Sequence, residues 1–114
     1  MHNGITARSA MLVNEHSASA AEMVAAFASE YRVATLVGVK TAGRLVATSA
    51  FKAGFGYRVA LPVAAYFTWQ GTNLEGRGLV PNVEEPLSPE ALWSGEDNQL
   101  KRAIDCLKEA ASAA

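Results

Sequence analysis

The sequence predicts an α/β fold made of a βαβ unit, a β-hairpin, one or two further strands and a C-terminal helix. Three observations indicate this fold. Two short apolar runs flank an alanine-rich stretch with helical periodicity, a glycine turn separates two extended runs, and an amphipathic stripe lies near the C-terminus. The chain has 114 residues, of which 50% are hydrophobic and 18% charged, which suits a single domain over residues 1–114.

The first part of the chain predicts a strand, a helix and a second strand. Residues 9–13 form a short apolar run, after which Met23, Phe27 and Tyr31 recur at helical spacing. Residues 34–39 are rich in strand-forming side chains and have the length of a buried strand. A helix between two such strands predicts a parallel pair joined by a crossover connection.

The middle of the chain predicts a β-hairpin. Residues 45–52 and 57–61 have an extended pattern, and the glycine-containing residues 53–56 between them supply the turn. Residues 64–69 follow Pro62 and are predicted to form one more strand.

A final helix is predicted after a polar segment at residues 86–98. Apolar side chains then recur at helical spacing, with charged residues on the opposite side. The stripe consists of Leu100, Ala103, Ile104, Leu107 and Ala110.

The charge balance argues against two classes of partner. Ten basic and eleven acidic residues give a formal charge of -1, whereas a nucleic-acid or anionic-membrane surface needs a basic excess. The longest uncharged apolar stretch, residues 59–70, contains Pro62 and is too short to cross a bilayer. We therefore expect neither a nucleic-acid nor a membrane partner.

The metal-binding and redox-active residue types are sparse. Cys106 is the single cysteine, so an internal disulfide is excluded, and one thiol does not make a zinc site. The two histidines, His2 and His16, lack carboxylates or thiols at ligand spacing. We expect no metal ion and no organic cofactor. The polar start shows no signal-peptide pattern, which leaves the cellular location open.

Three segments carry the functional signal. Residues 12–22 read Leu-Val-Asn-Glu-His-Ser-Ala-Ser-Ala-Ala-Glu, residues 36–43 read Leu-Val-Gly-Val-Lys-Thr-Ala-Gly, and residues 74–82 read Leu-Glu-Gly-Arg-Gly-Leu-Val-Pro-Asn. In this order and spacing they resemble the tail-specific, or carboxy-terminal processing, serine peptidases. The resemblance implies a crotonase- or Clp-protease-like core, of which this chain carries the C-terminal part without a PDZ domain. It also implies peptide-bond hydrolysis, with peptides or protein C-termini as substrates.

The resemblance implies a nucleophile and an oxyanion donor. Ser19 matches the family's nucleophilic serine, and Ala20 matches a position whose backbone amide donates to the oxyanion. A strand-to-helix turn suits both roles, because the helix N-terminus offers free amides and partial positive charge. Ser17 is the neighbour most easily confused with the nucleophile.

The general base is left open by the sequence. Arg44 stands where many family members have a lysine, and its guanidinium stays protonated, so it cannot accept the serine proton. Arg44 could instead bind a peptide carboxylate or position a loop. Glu75 matches an acidic residue that supports a serine-histidine arrangement in tricorn-like relatives. His16 is the alternative base by sequence proximity, and Lys40 is the nearest other amine.

These departures from the family pattern lead to three readings. The sequence also lacks the Gly-Gly-containing upstream loop of full-length members. We therefore expect a peptidase-like domain with little or no activity as an isolated chain. The alternative is a non-catalytic module that binds peptides or self-associates, and a third reading is a fragment without an independent role. The apolar faces of Met23, Val24 and Phe27 predict a partner chain, and hence a homo-oligomer.

Overall fold

Two separate sheets and three helices organise residues 8–112, which are the residues that the computed structural model describes. His2 lies outside this range. The elements in chain order are β1 (Ala10–Val13), α1 (Ala20–Glu30), β2 (Thr35–Gly38), β3 (Val46–Gly54), β4 (Tyr57–Ala65), β5 (Val83–Glu84), α2 (Pro89–Trp93) and α3 (Asn98–Ser112).

The first sheet has the strand order β1-β2-β5 and is parallel throughout. The predicted strand-helix-strand unit and its parallel pair are confirmed, with Ala10 opposite Thr35 and Val13 opposite Gly38. The third strand, β5, was not predicted. Its two residues are too few to show a strand period, and they join the sheet through Val37 and Gly38.

Helix α1 packs on this sheet with its small side chains. Ala25, Ala26 and Ala28 are buried, and one core cluster joins Ala25 to Val13 and Leu36. A second cluster joins Ala26 to Leu45 and Leu74. Alanine lets the helix approach the sheet closely because it has no side chain beyond Cβ.

The larger apolar side chains of α1 lie mainly on the solvent side. Val24 is 57% exposed and Phe27 is 42% exposed, and Tyr31 is exposed as well. The ring of Trp69 covers part of this face, with centroids 5.3 Å from Phe27 and 6.2 Å from Tyr31. The face that carries the apolar periodicity is therefore a half-open aromatic surface in the described residues.

The second sheet is the predicted hairpin, β3 with β4. Its loop is Phe55-Gly56, and the positive φ angles of 51° and 81° are those of a type I′ turn. Strand β4 continues through Pro62 and ends at Ala65, so the prediction of a separate strand over residues 64–69 is wrong. Pro62 is tolerated because it pairs opposite Thr48 at a register shift in a two-stranded sheet, where no third strand needs its missing N–H.

The hairpin extends away from the β1-β2-β5 sheet. Most residues of both strands are exposed, and the radius of gyration is 17.8 Å. A compact chain of this length would have a radius of gyration of about 13 Å. The hairpin is therefore an arm that gives the molecule its length.

The predicted C-terminal helix is confirmed as α3, which packs against β1 and β2 and buries Ala103. The short helix α2 lies inside the segment predicted only as polar. Its first turn is capped by Ser88, whose Oγ accepts a hydrogen bond from the Ala91 N–H at 3.2 Å. Across residues 8–112, no helix combines the length and the apolar character needed to cross a membrane.

Candidate active site

Ser19 occupies the turn between β1 and α1 in a strained backbone conformation. It is the N-cap of α1, with φ 58° and ψ -123°. The strain persists because the Ser19 N–H is held twice, by the Arg44 carbonyl oxygen at 2.9 Å and by Glu22 Oε2 at 3.1 Å. Non-glycine residues in such conformations concentrate at functional sites. The residue as a whole is exposed.

The turn before Ser19 separates the two candidate serines. Asn14 Oδ1 accepts a hydrogen bond from the His16 N–H at 2.9 Å, and Ser17 Oγ accepts one from the Asn14 N–H at 3.1 Å. The Ser17 carbonyl accepts a further bond from the Ala42 N–H at 2.9 Å. Ser17 thus stabilises the turn, whereas Ser19 lies on the surface beyond it.

Ser19 lines a cleft of about 310 Å³ whose walls are largely apolar. Ala20, beside it, is the first residue of α1, where the N–H has no acceptor within the helix. No hydrogen bond found among residues 8–112 engages that N–H. A hydroxyl and a free amide therefore adjoin a cleft that suits an apolar side chain. The lining residues are Ser19, Ala20, Met23, Val24, Leu45 and Tyr66.

Glu22 joins the Ser19 turn to the loop after β2. Its side chain is fully buried, and four donors surround the carboxylate. Oε1 accepts hydrogen bonds from Thr41 Oγ1 at 2.5 Å and from the Gly43 N–H at 2.7 Å. Oε2 accepts from the Arg44 N–H at 3.0 Å as well as from Ser19. A single carboxylate therefore fixes the spacing between the backbones of Ser19 and Arg44.

The third motif segment is tied to the same network. Thr41 Oγ1 accepts a hydrogen bond from the Leu79 N–H at 2.8 Å, and the Gly43 carbonyl accepts one from the Gly76 N–H at 2.8 Å. The two loops touch backbone to backbone, since a Cβ on Gly43 would lie 2.8 Å from the Gly78 nitrogen. The three motif segments are thus joined by one hydrogen-bond network.

The pKa of Glu22 is lowered from its usual value. Burial alone raises the pKa, because it penalises the charged carboxylate. The hydrogen bonds from Thr41, Gly43, Arg44 and Ser19 outweigh that penalty, since all four donors stabilise the anion. Glu22 is therefore ionised at neutral pH, directly behind the Ser19 amide.

We expect Glu22 to contribute stability at neutral pH that disappears in acid. Its folded pKa lies below the value of about 4.3 for an unfolded chain, so the contribution is present above that pH and is lost as the pH falls through the folded pKa. Urea unfolding of the wild type and of Glu22→Gln at a series of pH values measures it. The difference in unfolding free energy should shrink as the pH falls below about 4. A difference that is constant with pH would contradict the prediction.

Arg44 contacts Ser19 through its backbone, and the Glu75 side chain binds the residue that follows Arg44. The Arg44 carbonyl holds the Ser19 N–H, while the guanidinium belongs to an exposed residue. Ion pairs found in the described chain do not include Arg44. Glu75 Oε2 accepts a hydrogen bond from the Leu45 N–H at 2.5 Å, and so holds the chain directly after Arg44.

The structure does not bring the other candidate bases onto Ser19. His16 is exposed, with Nε2 at 3.8 Å from Glu15 Oε1, and Lys40 is exposed after β2. Hydrogen bonds within residues 8–112 include none between Ser19 Oγ and a basic nitrogen. Likewise, the described part of the chain contains no group of three His, Cys, Asp or Glu placed to hold a metal ion.

Sequence reasoning missed the cleft residues Leu45 and Tyr66. Leu45 follows the second motif segment directly and packs in the core cluster with Ala26 and Leu74, which its apolar character alone does not reveal. Tyr66 lies just after β4, where the hairpin brings the chain back to the cleft. No local sequence pattern predicts that position.

Comparison with known proteins gives concordant results. Residues 2–85 match the family described as "Peptidase family S41". A carboxyl-terminal-processing protease of Synechocystis sp. is 38% identical over 100 residues, which cover 85% of this chain and 23% of that protein. The crystal structure of the tricorn protease matches with a TM-score of 0.79 and 27% identity, over 87% of this chain and 10% of that chain.

A third similar structure is a photosystem II D1 C-terminal processing protease. It matches with a TM-score of 0.57 and 31% identity, over 70% of this chain and 20% of that chain. The likeness in fold agrees with the predicted α/β core. The chain spans about a quarter of the length of the curated relative and less of either solved structure.

Proposed function

Because the chain belongs to peptidase family S41, we propose that it carries the nucleophile-bearing part of a serine peptidase active site. The observation that carries the proposal is the position of Ser19. This residue has a strained, doubly anchored backbone and lines an apolar cleft beside the free Ala20 amide. Rigid support of a nucleophile and a preplaced oxyanion donor are what acyl transfer requires.

The proposed reaction is hydrolysis of a peptide bond through an acyl-enzyme. Ser19 Oγ bonds to the substrate carbonyl carbon, and the Ala20 N–H stabilises the oxygen that becomes negative. The carbon–nitrogen bond then breaks, and the proton lost by Ser19 Oγ passes to the leaving amine. Water later hydrolyses the ester, which releases the carboxylic acid and restores the Ser19 hydroxyl. The curated relative's name refers to processing at carboxyl termini, and we propose protein or peptide C-terminal regions as the substrate class here.

We assign supporting roles to the residues around Ser19. Glu75 positions the segment that follows Arg44 through its bond to the Leu45 N–H. The Arg44 guanidinium is free to bind a substrate carboxylate, but it does not accept a proton. His16 is the alternative base, since the turn that carries it directly precedes Ser19.

We expect the isolated 114-residue chain to label slowly at Ser19 and to hydrolyse peptides weakly or not at all. The reason is that no described base contacts Ser19, and a missing general base typically costs a factor of about 10² to 10⁴ in rate. The measurement is mass spectrometry after treatment with a fluorophosphonate probe, combined with cleavage of an unstructured peptide. Ser19→Ala should abolish labelling, and the matched control Ser17→Ala should retain it.

Two results would contradict these expectations, the first concerning the activity and the second concerning the nucleophile. Peptide cleavage by the wild type that Ser19→Ala abolishes would show that the chain is an active peptidase on its own. Labelling that persists in Ser19→Ala would remove the assignment of the nucleophile.

The second candidate function is a non-catalytic module on the peptidase scaffold. The arginine at position 44, with an exposed side chain and no titratable base in its place, favours this candidate. It predicts peptide binding that is unchanged in Ser19→Ala, and no labelling by serine-directed reagents. The labelling experiment therefore separates the two functions.

A further inference from the structure

The turn of the β3–β4 arm presents a cluster that the proposed peptidase site does not use. We define the arm tip as Lys52, Phe55, Tyr57 and Arg58. Phe55 is fully exposed, at 102%, and Tyr57 is 73% exposed. Phe55 has φ 51° at a turn position that normally takes asparagine, aspartate or glycine. A positive φ at a bulky residue costs free energy, and an exposed aromatic ring gains nothing from burial in the free molecule. Such a side chain is typical of an anchor that fills a pocket on a partner.

The arm tip also has uncompensated positive charge. Lys52 and Arg58 are directly opposite each other in the antiparallel register, where like charges destabilise the pair. Neither takes part in an ion pair found among residues 8–112. A partner that fits the tip should therefore be acidic around an apolar depression.

Helix α3 and the turn before it provide such a depression. We define the α3 groove by its apolar floor, Leu100 and Ile104, and its acidic rim, Glu96, Asp97 and Asp105. The groove has a volume of about 400 Å³, and both floor residues are exposed. An aromatic anchor between two cations matches this floor and rim.

The chain as a whole is also divided into a basic part, which contains the arm, and an acidic part, which contains the α3 groove. Residues 1–83 contain seven basic and four acidic side chains, whereas residues 84–114 contain three basic and seven acidic ones. Two of those three basic residues, Lys101 and Lys108, also line the α3 groove, whose three carboxylates still leave it net negative. The basic arm and the acidic C-terminal part of a second molecule are therefore electrostatically complementary.

We propose that the arm tip of one molecule inserts into the α3 groove of a second copy of this chain. The full exposure of Phe55 shows that the tip does not occupy the groove of its own molecule. Tip and groove are different surfaces, so the contact is head-to-tail, and each copy offers one of each. Such a contact closes into a ring or extends as an open chain.

The test is sedimentation velocity of the full chain across a range of protein and salt concentrations. We expect association that strengthens with protein concentration and weakens with salt, because the interacting charges are exposed. Lys52→Glu/Arg58→Glu should weaken association by about tenfold or more, and Phe55→Ala should weaken it similarly. Arg32→Glu/Lys40→Glu makes the same charge change away from the tip and is expected to leave association nearly unchanged.

A pair of variants with reversed charges, one at the arm tip and one at the groove rim, tests whether the tip binds the α3 groove. A Glu96→Lys/Asp105→Lys chain should associate poorly alone but should recover association when mixed with the Lys52→Glu/Arg58→Glu chain. Thermal unfolding followed by circular dichroism must remain unchanged in every variant, since none of these side chains is buried and none caps a helix. A wild-type monomer at every concentration, association insensitive to the tip, or failure of the mixed variants to associate would each overturn the proposal.

Discussion

Replacement of Glu22 by glutamine is expected to lower the free energy of unfolding by about 2–4 kcal/mol at neutral pH. The wild-type carboxylate accepts four hydrogen bonds in a fully buried position. Glutamine keeps one oxygen but replaces the other with an NH₂ group, which then faces two donors. The Ser19 N–H keeps the Arg44 carbonyl as a second acceptor, but either Arg44 or Gly43 leaves a backbone N–H without its acceptor, facing an NH₂ group.

Chemical unfolding at neutral pH, followed by circular dichroism or tryptophan fluorescence, measures this effect. Glu15→Gln is the matched control, since Glu15 is an exposed glutamate in the same turn region, and its substitution is expected to change the stability by less than about 0.5 kcal/mol. Thr41→Val removes one of the four donors and also the acceptor of the Leu79 N–H, so it is expected to destabilise the fold as well. Equal stability of Glu22→Gln and the wild type would mean that the carboxylate does not hold the three loops together.

The role of Glu22 shows how far local patterns predict this molecule. Its spacing from Ser19 predicts a helix cap, and the bond from the Ser19 N–H fulfils that prediction. The other three donors come from Thr41, Gly43 and Arg44, about twenty positions along the chain. No local sequence pattern indicates these contacts, because they form only when the pairing of β1 with β2 brings the two loops together.

Periodicity predicts the elements well where they are long and regular, as for α1, the hairpin and α3. It fails for β5, which has two residues and exists through its pairing with β2. It also does not reveal the buried face of α1, because the residues that meet the sheet are small alanines. The larger apolar side chains form the opposite surface, and their pattern alone does not say which face meets the sheet.

The candidate site is predictable to a similar degree. The strand-to-helix turn indicates a position suited to a nucleophile, because every helix start has free backbone amides, independent of the rest of the fold. The base is not predictable in that way. His16 lies three residues from Ser19, yet the turn leaves it exposed beside Glu15, whereas the distant Arg44 contacts Ser19 through its backbone.

That contact makes Arg44→Lys the substitution with the largest expected gain in activity. The Arg44 carbonyl lies 2.9 Å from the Ser19 nitrogen, so a lysine at this position starts beside the proposed nucleophile. Its amine can lose a proton, which a guanidinium does not do in proteins. General bases contribute about 10² to 10⁴ in rate, and exposure at position 44 keeps most of the amine protonated near neutral pH. We expect fluorophosphonate labelling of Ser19 to accelerate about tenfold at pH 9, with a rate that continues to rise toward the lysine pKa of about 10.4.

The pH profile of the labelling rate distinguishes a base from a mere loss of positive charge. Arg44→Gln also removes the guanidinium but supplies no titratable group, so its labelling rate should not acquire the rising limb seen for lysine. The double variant Ser19→Ala/Arg44→Lys should not label, which ties the gain to the Ser19 hydroxyl. If Arg44→Gln and Arg44→Lys accelerate labelling equally, or if Arg44→Lys gives no gain at any pH, a side chain at position 44 does not act as a base for Ser19. The non-catalytic scaffold would then be the better account of this chain.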